Sequence, residues 1–441
     1  MTPQLNRRSF LRNTGMAAAA FAVTRPWLNS AARTISPNEK LNVAAIGLGV
    51  GASNVRNSSD ENIVALCDLD LSRCGGTIKQ QPKAALYTDF RKMLDEQKDI
   101  DAVIIATPDH SHAYIAMECM RRGKHVYVQK PISHSVFEAR VLTESAHKYK
   151  VVTQMGNQGH SGEGIRQVTE WIAAGLIGKV REVHTWTNRP IWPQSLEMDR
   201  PTDVQNAPQG MDWNQWCGPA PLRPFHASYH PGKWRAWWDF GTGSLGDMGC
   251  HILDPVFSSV AFTYPNSVIC LQGGTGPDSW GLDNQVRYTF PGTKFTADTV
   301  TLNWFDGSLR PGKEVQALLG DRKITDQGSI YIGTTGVLYS PYIGAPVLFP
   351  TEKGKDIPIV KIPGDNHYLQ WVEACRGNGA ASAPFSYSGP MTESVLLGTM
   401  STRFPKQELT WNAEKMEITN FKDANQFVRK TYRKGYEVEG L

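Results

Sequence analysis

The chain has 441 residues, 40% hydrophobic and 20% charged, enough for two or three domains and unlike a disordered or collagen-like chain. Lysine and arginine number 46 against 42 acids, and four of the basic residues (Arg7, Arg8, Arg12 and Arg25) fall in an acid-free stretch before residue 33, so the remainder is charge-balanced. A neutral body has no electrostatic footprint for nucleic acid and no polybasic run for an anionic membrane. The seven cysteines (Cys67, Cys74, Cys119, Cys217, Cys250, Cys270 and Cys375) are odd in number, scattered and without a C-x-x-C pair. That pattern argues against a disulfide scaffold and a cysteine zinc site.

Residues 1–32 open with Arg7-Arg8-Ser9-Phe10-Leu11, followed by a short apolar run from Met16 to Val23 and small residues at Ser30-Ala31-Ala32. The run is too short to span a membrane and suits a signal h-region. The whole resembles a twin-arginine export signal, which implies a periplasmic or otherwise exported protein. Export carries the chain away from the soluble nucleotide pool, so any nucleotide would have to be held tightly.

An apolar run at 41–46 leads into Gly47-Leu-Gly49-Val-Gly51-Ala52, which fits G-x-G-x-x-G/A. Gly47 permits the tight turn, Gly49 lets the main chain approach a pyrophosphate, and Ala52 allows close helix packing. A second run, Ile63 to Cys67, ends at Asp68, about twenty residues on, where a carboxylate accepts from a ribose and repels a 2′-phosphate. NAD is therefore expected rather than NADP. A third run, 101–106, meets Thr107-Pro108-Asp-His110-Ser-His112. A helical stretch at 113–122 and a strand ending at Gln129-Lys130-Pro131 follow. Alternating strands and helices imply a parallel sheet, with His110, His112 and Lys130 on its ligand-binding rim.

Past residue 155 the texture changes. A helix is expected over 165–174 and an alternating strand over 180–186, then a Pro/Trp-rich segment over 187–241. Strands near 268–273, 285–290, 295–304 and 314–319, separated by turn residues, indicate a mixed or antiparallel sheet. Asp247 and His251 stand four apart, on one face of a helix. Seven of thirteen tryptophans lie between 186 and 238, a composition suited to stacking on sugars or to packing an edge. Asp365 is placed to cap a helix from 366, residues 391–403 read as another helix, and the polar tail from 412 is expected on the surface.

The glycine turn, the A-T-P-x-H-x-H stretch, the Lys-Pro pair and the D-x-x-x-H helix together resemble the glucose–fructose oxidoreductase, inositol dehydrogenase and rhizopine-catabolism (Gfo/Idh/MocA) family over the whole mature chain. The resemblance implies an α/β protein: an N-terminal Rossmann dinucleotide-binding domain over 40–155, and over 156–441 a C-terminal α/β domain with an open-faced, largely antiparallel mixed sheet. It implies NAD contacts from Gly47, Gly49, Gly51, Ala52, Asp68, Thr107 and Pro108, and from His110, His112, Gln129, Lys130 and Asn157. It makes His251 the general base, Lys130 the group that stabilises a developing alkoxide, and Asp247 the orienting acid. His160, Arg189, Trp192, Tyr229 and Trp238 are expected to bind substrate. The family's usual Glu-Lys-Pro is here Gln129-Lys130-Pro131, and a glutamine cannot ion-pair with the lysine. A zinc site built on His110, His112 and His251, completed by His160 or Asp247, is the weaker use of these histidines, so no metal is expected.

The implied function is an exported NAD-dependent oxidoreductase acting on a secondary hydroxyl of a carbohydrate or cyclitol, in a homodimer or homotetramer. A second reading is an NAD-dependent glycosidase or lyase that works through a transient 3-keto sugar without net redox change; it requires a further base, for which His160, His226, His230 and Tyr229 are candidates. A third is a non-catalytic sugar-binding protein on the same fold.

Overall fold

A computed structural model describes residues 40–195, 197–350 and 366–441. The expected export signal and the Asp365 cap lie outside the described residues. Helix α11 (His367–Cys375) is capped instead by Asn366, whose side chain accepts from the Tyr368 and Leu369 N–H groups.

The first half is a six-stranded parallel sheet in the order β3-β2-β1-β4-β5-β6. Its strands are β1 (Asn42–Ile46), β2 (Asn62–Cys67), β3 (Ala85–Tyr87), β4 (Ala102–Ile105), β5 (His125–Gln129) and β6 (Thr153–Gly156). Between them run α1 (Gly51–Asn57), α2 (Gly75–Gln80), α3 (Phe90–Glu96), α4 (Asp109–Arg121) and α5 (Val136–Tyr149). Val43, Ala44, Ala45 and Val103 are fully buried, because helices cover both faces of the sheet; that is why these strands read as unbroken apolar runs. Helix α5 begins with a reciprocal cap: Ser135 Oγ accepts from the Glu138 N–H, and Glu138 Oε2 accepts from the Ser135 N–H. The strand order reverses between β1 and β4, which opens a crevice at their carboxyl ends.

The second half begins with α6 (Glu163–Ala173), then β7 (Val180–Trp186), α7 (Trp213–Cys217), α8 (Gly243–Ile252) and α9 (Asp254–Val260). It continues through β8 (Ser267–Gln272), β9 (Gln285–Pro291), β10 (Thr296–Phe305), α10 (Lys313–Gln316), β11 (Gly328–Gly333), β12 (Val337–Ser340) and β13 (Val347–Phe349). After α11 come α12 (Phe385–Ser401), β14 (Leu409–Asn412) and β15 (Glu417–Ile418). The sheet order is β13-β12-β11-β7-β10-β9-β8-β14-β15, with only β7 and β10 parallel. Val183, Leu302, Tyr288 and Val268 share one face in register and are fully buried, against helices.

Helix α12 is the spine between the halves: it packs on α5 and on α8. Glu393, fully buried on α12, accepts from Arg140 of α5 at 2.7 and 2.8 Å. On the other side a Cβ at Gly249 of α8 would come within 2.9 Å of Val395, so a glycine lets the two helices close up.

Two expectations need correction, and a third needs detail. Residues 313–319 are helical, not a strand: Val315 and Leu319, four apart, pack with Trp186, Phe305 and Ile330. His110 and His112 lie on the first turn of α4, which starts right after Pro108, not in a loop. The tail from 412 runs along the surface as expected, but it is anchored there, with Ile418, Ala424, Val428, Tyr436 and Val438 buried as it runs back across the first half of the molecule.

Candidate active site

The crevice holds a cavity of about 720 Å³. Its floor is the glycine turn. Gly47 has φ +84°, and a Cβ there would sit 2.7 Å from the main chain of Ala106 and Thr107, so only glycine lets the turn lie against the end of β4. A Cβ at Gly49 would meet nothing within 4 Å, which leaves the approach to the main chain open. Asp68, at the end of β2, pins the turn: the Leu48 N–H donates to Oδ2 at 2.6 Å, and the Asp70 N–H donates to Oδ1 at 2.9 Å. A carboxylate has about four acceptor sites, so both oxygens keep capacity for ribose hydroxyls. The opposite wall comes from outside the parallel sheet, from Trp216 and Trp234 of the aromatic segment and Tyr436 of the tail. A glycine floor, a carboxylate edge and aromatic walls fit a dinucleotide.

The inner end is charged. Lys130, directly after β5, lines the cavity, and its Nζ donates to Asp247 Oδ1 and to the Asp247 carbonyl, both at 2.7 Å. Arg235 Nε lies 3.4 Å from the same Oδ1, with its guanidinium 4.2 Å from the Trp234 ring. Burial alone would raise the Asp247 carboxyl; Lys130 and Arg235 outweigh it and hold the group at about 2. His251 follows one turn along α8. Its Nδ1 is buried without a hydrogen-bond partner among the described residues. Burial, then the charges of Lys130 and Arg189, press its pKa down to about 3 against the pull of Asp247, so the ring is neutral at pH 7. Asp109 opens α4 beside this cluster, buried, with the Thr242 hydroxyl donating to it at 2.6 Å; burial raises its carboxyl.

The glycine floor and the carboxylate edge of the cavity agree with the sequence comparisons. Residues 41–157 match the "Oxidoreductase family, NAD-binding Rossmann fold" profile, and residues 163–292 match the "Oxidoreductase family, C-terminal alpha/beta domain" profile; together they cover more than half of the chain. The chain belongs to the Gfo/Idh/MocA oxidoreductase family. Its first domain is an NAD-binding Rossmann domain. Among curated relatives, a glycosyl hydrolase family 109 protein of Shewanella baltica is 28% identical over 204 residues, 40% of this chain and 44% of the relative. An alpha-N-acetylgalactosaminidase of Shewanella oneidensis is 26% identical over the same shares. The match thus spans less than half the length of these relatives. Among solved structures, the WlbA dehydrogenase from Bordetella pertussis, in complex with NADH and UDP-GlcNAcA, superposes with a TM-score of 0.60 at 13% identity, over 85% of this chain and 99% of that one.

Within this Gfo/Idh/MocA chain, Gly47, Gly49, Ala52 and Asp68 line the cavity on one side, and Thr107, Pro108, His112, Gln129 and Lys130 on another. Gly51 instead faces Ala106, whose Cβ would lie 3.2 Å from one added there. His110 is off the wall: its Nε2 faces the Trp216 carbonyl at 2.9 Å and its Nδ1 the Phe240 carbonyl at 3.3 Å. It ties α4 to the aromatic segment. His112 likewise faces two carbonyls, of Pro131 and Thr107, each at 2.7 Å. Neither ring has a nitrogen free for a metal, and no metal-holding group of three or more His, Cys, Asp or Glu occurs among the described residues. Gln129 donates to Asn54 Oδ1 at 3.2 Å, and Lys130 takes its carboxylate from Asp247 instead. Asn157 is off the wall, and both polar atoms of its buried amide lack a partner among the described residues.

The residues expected at the substrate separate into two groups. Arg189 acts on both His251 and Tyr342, and Trp192 lies 5.9 Å from the Arg235 guanidinium, so both stand beside the charged end. His160 pairs with Asp254 on the same side. Tyr229 is instead buried in a cluster with Trp237 and Phe240, and Trp238 stacks under the Arg403 guanidinium at 3.7 Å. Both are packing residues in this structure. Sequence reasoning missed Trp216, Trp234 and Tyr436 as walls of the nucleotide cavity. No local signal marks them, because the segments that carry them reach the cavity only through tertiary folding.

Proposed function

We propose that the protein oxidises a secondary hydroxyl of a carbohydrate with NAD, using Lys130 and His251. The observation that carries this reading is the Lys130–Asp247 pair, Lys130 lining the dinucleotide cavity, with the neutral His251 imidazole one turn away, its Nδ1 without a hydrogen-bond partner among the described residues. NAD, when bound, supplies the hydride acceptor. His251 takes the hydroxyl proton, and burial keeps its ring neutral near pH 7, so a lone pair is available for it. Lys130 faces the charge that develops on oxygen, and Asp247 with Arg235 fixes where the ammonium points. The double anchor on Asp247 removes freedom from a flexible side chain before substrate arrives. The Arg7-Arg8 pair and the apolar run after it support a place outside the cytoplasm.

The curated relatives favour a second reading, in which the ketone is transient, a glycosidic bond is eliminated and hydride returns. One experiment tests both. NAD-loaded protein is mixed with p-nitrophenyl glycosides of glucose, N-acetylglucosamine and N-acetylgalactosamine, and absorbance is followed at the wavelengths of reduced nicotinamide and of p-nitrophenolate. Lasting reduced nicotinamide without p-nitrophenolate supports net oxidation. Turnover to p-nitrophenolate with only transient reduction supports the redox-neutral route. Tight glycoside binding with neither signal contradicts both.

A further inference from the structure

His160 sits in the short turn after β6, and its Nδ1 lies 2.8 Å from Asp254 Oδ1 and 3.1 Å from Oδ2. Asp254 opens α9, is buried, and also accepts from the Tyr387 hydroxyl at 2.6 Å. A carboxylate only accepts, so Nδ1 carries the hydrogen, and in the neutral ring the lone pair is on Nε2. Nε2 has no hydrogen-bond partner among the described residues and is not sealed from solvent. A buried acid that fixes the tautomer and direction of an imidazole is how proteins orient a base.

Asp254 follows His251 by three residues, so the partner of His160 and the base of the oxidation step lie on adjoining turns. Tyr342 joins the two: its ring is 6.2 Å from His251, and its hydroxyl would lie 3.9 Å from a Cβ at Gly159, next to His160. Other imidazoles are committed elsewhere. His226 pairs with Ser228 and Asp203, His230 faces Asp70 across the nucleotide cavity, and both nitrogens of His367 are engaged, by Ser161 and the Met155 carbonyl.

We propose that His160, oriented by Asp254, is a second acid–base residue of this site and takes a proton from the substrate carbon next to the oxidised one. The proposal rests on the redox-neutral reading above, whose first step is the hydroxyl oxidation. In the first step the carbinol C–H and O–H bonds break, hydride leaves to the nicotinamide, the proton goes to His251 and a ketone forms. The adjacent C–H bond, now acidic, then breaks; its proton passes to His160 Nε2 and its electron pair enters an enolate. Collapse of the enolate breaks the C–O bond one carbon further on. The expelled oxygen takes the proton held by His160 and leaves as an alcohol, and an enone remains. Water adds across that enone, hydride returns to the carbonyl carbon and the proton on His251 returns to its oxygen, so the sum is hydrolysis.

The test uses the NAD-loaded protein, the three p-nitrophenyl glycosides and deuterated water. Reduced nicotinamide reports oxidation, and deuterium entering the sugar next to the oxidised carbon, read by NMR, reports the second proton transfer. The wild type is expected to show both. His160→Gln and His160→Ala are expected to keep the NAD content and to lose exchange by about a hundredfold or more relative to the nicotinamide reduction that remains. Exchange at the wild-type rate in either folded variant overturns the proposal, as does loss of both signals together. A wild type that reduces its nicotinamide without exchange overturns it too, while the oxidation reading stands. A wild type with neither signal overturns the oxidation reading and this proposal with it.

Discussion

Lys130 makes two contacts at 2.7 Å with one residue, Asp247, and so ties the catalytic end of the cavity to α8. Replacing it by methionine removes the cation and leaves the Asp247 carboxylate buried with Arg235 alone. Lys130→Met is expected to lower kcat by about 10²–10³, as loss of one charged stabiliser does elsewhere, while NAD stays bound. Breaking a buried pair also costs about 3–5 kcal/mol, so the thermal midpoint drops by several degrees. Steady-state kinetics and a melting curve check both parts, and unchanged turnover contradicts the role given to Lys130. His251 makes a sharper statement. With its pKa at about 3 the ring is already neutral throughout the range from pH 5.5 to 8. The profile of kcat/KM over that range is expected to lack a rising limb near 6.5, the value of an unperturbed imidazole. A clear inflection there means His251 is not the base or is not as buried as it looks.

The elements differ in how plainly the sequence announces them. The strand–glycine turn–helix at 42–57 and Asp68 after β2 were legible because their chemistry is local: an apolar run, two glycines, an acid at fixed spacing. Spacing alone put Asp247 and His251 on one helix face; joining them to Lys130 as a set took the family resemblance, and the structure brings Lys130 onto Asp247 from 117 residues away. The helix at 313–319 was hidden because a short apolar pair four apart and a short strand look alike until one knows what lies beneath. The anchoring of the tail was hidden for a different reason. Its polar residues are matched by remote partners: Lys430 Nζ donates to the His110 carbonyl and lies 2.8 Å from Glu138, and Arg433 donates to the Gly218 carbonyl. These anchors carry Tyr436 to the nucleotide wall. Deleting residues 429–441 is expected to weaken NAD retention by about ten- to hundredfold, the worth of one buried aromatic contact. Nucleotide still bound after gel filtration measures it, and full retention by a folded truncated protein contradicts the tail's role as a cavity wall.

The whole molecule buries several uncharged histidines at once. Burial lowers His110 and His251 to about 3, His367 to about 4, His134 well below its ordinary value, and His112 in the same direction. An unfolded histidine titrates near 6.5, so below that pH the unfolded chain binds the extra protons and stability falls as pH falls. Burial acts oppositely on Asp306 and Glu393, raised to about 7, and on Asp109, also raised, because each holds a proton more readily when folded. Among the groups shifted clear of this range, the three histidines His110, His251 and His367 against the two acids Asp306 and Glu393 leave a net uptake of about one proton on unfolding, a slope of about 1.4 kcal/mol per pH unit between 6.5 and 5. Urea denaturation midpoints are expected to decline steadily from pH 7 to 5, and a flat or rising series contradicts the burial of these rings.

The central claim is that hydride leaves a ring carbon of a sugar inside the cavity that Lys130 and Asp68 bracket. It is tested most directly by mixing the NAD-loaded protein with glycosides deuterated at carbon 3, quenching in acid during turnover and weighing the released nucleotide by mass spectrometry. The account predicts reduced nucleotide carrying the deuterium, and none in Lys130→Met. Product formed with nucleotide that stays oxidised and unlabelled throughout would contradict it.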